Sequence, residues 1–130
     1  MSIVLWILQA LLAALFLFHG WLFLFPPPEL VDLLNAQFPI WFRLFLGVAE
    51  VLAAVGLILP GLTRILPWLT PLAALGIMMV TGSASVFHFV RGEVGSGITT
   101  AVLFVMAAFV AYMRWWVKPI ARRQAARAAT

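Results

Sequence analysis

The chain has 130 residues, 65% of them hydrophobic and only 9% charged, with a formal net charge of +4 and a mean hydropathy of +1.14. So few charges could not cover the surface of a water-soluble domain of this length, so the bilayer is the solvent and a separate soluble enzyme domain is excluded. The absence of cysteine excludes dithiol redox chemistry, thiolate nucleophiles and Cys-ligated metals.

The pattern predicts an all-α integral membrane four-helix bundle over residues 1–119 and a basic tail over 120–130. The first span covers residues 3–25 and is stopped by Pro26-Pro27-Pro28, which neither donate backbone bonds nor continue a helix. It lacks the basic start and small-residue cleavage site of a signal peptide. Next, Glu29 to Phe38 places Leu30, Leu33, Leu34 and Phe38 at helical spacing, which reads as a short helix lying in the membrane interface. The second span covers 40–59 and ends at Pro60-Gly61. The third covers 66–90, with Pro67 suited to a first turn and Pro71 placed to bend the opening turns. The fourth covers 95–117, with Pro119 just beyond.

Basic residues set the expected orientation. Arg64, Arg114, Lys118, Arg122, Arg123 and Arg127 lie on the side of the termini, against Arg43 and Arg91 on the other. Six against two places both termini in the cytoplasm and the chain in the plasma (inner) membrane. The same rule accounts for the basic tail without a nucleic-acid partner. Anionic lipid is its expected partner, beside a membrane protein partner or a second copy of the chain. Trp6, Trp68, Trp115 and Trp116 form the expected inner aromatic belt.

Polar residues inside the spans carry the functional reading. Glu50 lies at the middle of the second span, where a carboxylate costs roughly 2.5 kcal/mol or more on insertion scales. Arg43 stands seven residues earlier on the same helical face, with Gly47 between them. Thr81, Ser85 and His88 form a stripe in the outer half of the third span, and His19 lies in the outer half of the first. The inner half is nearly bare of polar groups except Gln9. Lipid offers such groups no partners, so the expected outcome is a polar pocket opening outwards and closing at Glu50. The plainer alternative is that Arg43 and Glu50 pair as structural glue. Hydroxyls such as those of Thr81 and Ser85 usually bond their own backbone. No metal is expected: His19, His88 and Glu50 differ in depth, and no short-spaced histidine motif occurs.

The run Arg43-x-x-x-Gly47-x-x-Glu50, the following Gly56-Leu57-Ile58-Leu59-Pro60-Gly61-Leu62-Thr63-Arg64, and a histidine near the end of span 3 resemble the DoxX-like membrane proteins. The resemblance implies a four-helix bundle and carries over Arg43, Gly47, Glu50 and His88. The family takes its name from a small subunit associated with a thiosulfate:quinone oxidoreductase, which makes quinone one candidate ligand and leaves the cofactor open. Related bundles reduce quinones through a cysteine pair, and this chain has none. No nucleophile–base pair, metal motif or phosphate loop points to an independent enzyme. Two functions follow as expectations. One is a non-catalytic subunit or assembly factor of a membrane redox complex, binding a quinone, lipid, small apolar ligand or partner helix around Glu50. The other is a small transporter with Glu50 as proton carrier.

Overall fold

The computed structural model describes residues 2–122, so the calls on Arg123 and Arg127 lie outside the described residues. Five α-helices run in order: α1 (Ser2–Leu24), α2 (Pro28–Gln37), α3 (Ile40–Thr63), α4 (Leu69–Val90) and α5 (Val94–Tyr112), the last continued by a π-turn over Met113–Val117. Four of them, counting α5 with its π-turn, have 22–24 residues. At 1.5 Å per residue they span about 33–36 Å, enough for a hydrocarbon core of about 30 Å. The predicted helical bundle with four apolar spans is what the chain forms.

The buried residues of each long helix recur at alternating steps of three and four. In α1 they include Leu5, Gln9, Leu12, Phe16 and Phe23; in α3, Arg43, Gly47, Glu50, Ala54 and Leu57. Thr70, Ala74, Ile77 and Thr81 do the same in α4. A seam of this period keeps one face against neighbouring helices over many turns. α1 packs against α3 and α4 against α5, the two pairs meet along α3 and α4, and α1 touches α5 only lightly. Leu12, Phe16, Ala54, Leu57, Ala74, Ile77, Ala107 and Val110 make the apolar centre.

The α1–α3 pair is antiparallel and in one register throughout. Phe23 meets Arg43, Gly20 abuts Gly47, His19 meets Glu50, Gln9 meets Leu57, and Trp6 abuts Gly61. The Gly20–Gly47 crossing is close. A Cβ on Gly20 would lie 2.9 Å from the Gly47 carbonyl oxygen and 2.9 Å from Val51 Cγ2.

Two boundaries differ from the sequence reading. The second span continues through Pro60 to Thr63 instead of ending at 59, and the third begins at Leu69 instead of 66. Pro60 has no N–H for the carbonyl of Gly56, four residues back, which would ordinarily break the helix. Thr70, fully buried at the start of α4, donates its hydroxyl to that oxygen at 3.1 Å. The start of α4 is displaced because Arg64 and Leu66 adopt positive φ (59° and 50°), a left-handed turn that helical residues do not form. Replacing Thr70 by Val should therefore destabilise the bundle by about 1 kcal/mol. In a Pro60→Ala background, which restores the N–H, the same change should lose most of its effect. Unfolding in detergent by circular dichroism reads both, and equal losses in the two backgrounds would remove this account of Pro60.

Candidate functional site

The chain's prolines leave helix carbonyls without their usual donors, and the charged residues can be placed from there. Pro27 sits four residues after Phe23 and has no N–H to offer its carbonyl. Arg43 Nη1 donates to Phe23 O instead, at 2.5 Å. A guanidinium at the last carbonyls of α1 also suits the negative end of the helix dipole. Arg43 is 8% exposed, and its Nε has no hydrogen-bond partner among the described residues. Phe23, Phe38, Phe42 and Phe87 form a chain of ring contacts at this end of the bundle, with centroids 5.8–6.2 Å apart. Phe38, at the end of α2, is the ring they share.

Glu50 lies near the middle of α3 and is 3% exposed. Its Oε2 is 2.6 Å from His19 Nδ1, and the His19 side chain is 51% exposed. His19 also stacks on Phe23, with centroids 4.5 Å apart. An imidazole ring thus joins a buried carboxylate to the exposed surface of the bundle. Gly20 and Gly47 make this geometry available, since their lack of side chains lets α1 and α3 approach closely beside the pair.

The remaining predicted residues lie elsewhere. Thr81 is buried but donates back to Ile77 O at 2.7 Å, within its own helix. Ser85 crosses to α5, donating to Gly97 O at 3.0 Å. His88 is at the α4–α5 turn, 3.4 Å from Glu93, which also pairs with Arg91 at 3.1 Å. Among the described residues, no hydrogen bond or ion pair joins Arg43, Thr81, Ser85 or His88 to the His19–Glu50 pair, and none joins Arg43 to Glu50. Of the seven candidates, the structure brings His19 and Glu50 into contact and sets Gly47 beside them.

It also buries a polar cluster that sequence reasoning missed. Arg114 is 5% exposed and Gln9 fully buried. Arg114 Nε donates to Gln9 Oε1 at 2.8 Å, and Gln9 Nε2 donates to Leu57 O at 2.6 Å. Arg114 Nη1 donates to Lys118 O at 3.1 Å, and the guanidinium carbon is 5.5 Å from the Trp6 ring centroid. The half of the bundle nearer the termini is therefore not bare of polar groups. The signal was present: Ala107, Val110 and Arg114 continue the three–four spacing of α5, and Gln9 occupies the matching stripe of α1.

Comparison with curated proteins and with solved structures gives no match. A family model described as the DoxX-like family matches residues 7–111, a stretch that includes most of α1, all of α2 to α4, most of α5 and the His19–Glu50 pair. Together with four apolar spans, this makes the chain a multi-pass membrane protein that belongs to the DoxX-like family.

Proposed function

We propose that this protein is a non-catalytic subunit or assembly factor of a redox-related complex in the plasma (inner) membrane, with both termini cytoplasmic. In this reading the His19–Glu50 pair is a lateral binding site for an apolar molecule with a hydrogen-bonding head, a quinone being the class that fits best. The single observation behind it is the 2.6 Å contact between a half-exposed histidine on a membrane-spanning helix and a buried carboxylate. A ligand dissolved in the bilayer reaches His19 without crossing the bundle, and the ring offers its head a hydrogen bond that lipid tails lack. Polar residues at membrane depth without a packing role are functional candidates by default. The outward pocket of the sequence reading narrows in this proposal to a site on the α1 edge.

Transport receives less support. Between Glu50 and the Gln9–Arg114 cluster the core consists of Leu12, Phe16, Ala54, Leu57 and Ile77, which offers no polar step.

A photoreactive quinone analogue tests the proposal. It should label residues of α1 and α3 near His19, in competition with unlabelled quinone, and His19→Ala and Glu50→Gln should each reduce labelling at least tenfold. Labelling unchanged in both variants would remove the site. Glu50→Cys, in a chain without native cysteine, should react with lipophilic thiol reagents only. Its modification by water-soluble reagents added on the side of the termini would favour the transporter instead.

A further inference from the structure

Among the described residues no carboxylate answers Arg114. The four acidic residues are Glu29, Asp32, Glu50 and Glu93. Glu50 is held by His19, and the other three lie on α2 or in the α4–α5 turn, at the far end of the bundle from Trp6 and Arg114. A buried guanidinium without a counter-charge is strongly unfavourable unless an anion reaches it. Two of its nitrogens are occupied by Gln9 and Lys118, but Nη2 has no hydrogen-bond partner among the described residues.

Arg114 is also one wall of a cavity of about 250 Å³, lined further by Arg122, Trp68, Trp115, Pro71 and Pro119. The π-turn contributes to this wall. Its wider winding, closed by Lys118 N donating to Met113 O at 2.6 Å, leaves both Met113 and Arg114 buried while Trp115 and Trp116 face out. π-turns of this kind recur at functional sites. The walls combine two guanidinium groups, which match phosphate oxygens in a planar fork, with two tryptophans of the type that sits at headgroup level. The volume falls below the roughly 300–1,000 Å³ of drug-sized sites, which suits a headgroup and not a whole lipid.

We infer that this cavity binds a phosphate group, held between Arg114 and Arg122, and that its source is the headgroup of an anionic phospholipid in the leaflet nearest the termini. This is a defined site for one molecule, distinct from diffuse attraction of lipid to the basic tail. It is also independent of the His19–Glu50 proposal, since the two sites share no residue.

Native mass spectrometry of the full chain, released from detergent with phosphatidylglycerol or phosphatidylcholine, tests it. The wild type should retain one phosphatidylglycerol per chain in preference to phosphatidylcholine. Arg122→Ala, an exposed position, should weaken that retention about fivefold. Arg114→Gln should weaken it about tenfold or more. Arg123→Ala/Arg127→Ala should leave the first bound lipid in place. Displacement by inorganic phosphate, or binding of inorganic phosphate alone, would keep the phosphate site but assign it a soluble ligand. Equal retention of the two lipids without phosphate binding would overturn the inference. So would loss of retention in the tail double variant while Arg122→Ala, which keeps the fold whatever Arg114→Gln does, binds as the wild type.

Discussion

Gly20→Val should destabilise the bundle by about 3 kcal/mol, the upper range for forcing bulk into a packed contact. The Cβ alone would stand 2.9 Å from the carbonyl oxygen of Gly47 and 3.2 Å from Glu50 Cβ. A backbone oxygen in a helix has nowhere to move, so α1 and α3 must separate. That separation also pulls His19 from Glu50, so the stability loss should come with loss of quinone labelling. Gly76→Ala in α4 is the control. Nothing lies within 4 Å of the added Cβ there, and alanine is the better helix former by about 1 kcal/mol. Unfolding of both variants in detergent, followed by circular dichroism, should separate them clearly. A Gly20→Val chain as stable as Gly76→Ala would show that the two helices do not approach closely at this level.

The second large effect concerns Gln9 and Arg114. Gln9→Leu leaves Arg114 Nε without its 2.8 Å acceptor in a fully buried setting, and should cost about 2–3 kcal/mol. Arg114→Met removes the charge but strands Gln9 Oε1, with a loss of about 1–3 kcal/mol. The double variant Gln9→Leu/Arg114→Met removes both partners and should be more stable than the two separate losses imply, by about 1–3 kcal/mol of coupling. Additive losses would mean that the two side chains do not depend on each other, and the buried cluster would lose its meaning.

Why some of this was legible in the sequence and some was not follows from the range of the forces involved. Four spans could be read because hydropathy acts on each stretch by itself, and Pro26-Pro27-Pro28 stops α1 locally. The end of α3 could not, because the hydroxyl that carries the helix through Pro60 comes from Thr70 in the next helix. Likewise Arg43 and Glu50 share a face, as their spacing requires, but which partners they take depends on the register of α1 against α3. That register gives Arg43 a carbonyl and Glu50 a histidine. Thr81 and Ser85 looked like one stripe with His88, but a hydroxyl's partner is set within about one turn or across one helix contact, and each found its own. Arg114 was read as part of the positive flank because it stands at the end of the fourth span, next to the basic tail. The spacing that buries it was equally present and pointed the other way.

The register of α1 against α3 also bears on how the chain is made. α3 carries two ionisable side chains into the bilayer, yet its answers to both, the Phe23 carbonyl and the His19 ring, belong to α1, the long helix synthesised before it. When α3 leaves the ribosome its partners are already in the membrane, so the two can enter as a hairpin with no charge left facing hydrocarbon. Gln9 is in the opposite situation. Its acceptor on α3 arrives early, but the arginine that completes it lies 105 residues further along the chain, so α1 keeps one bond open until α5 has emerged.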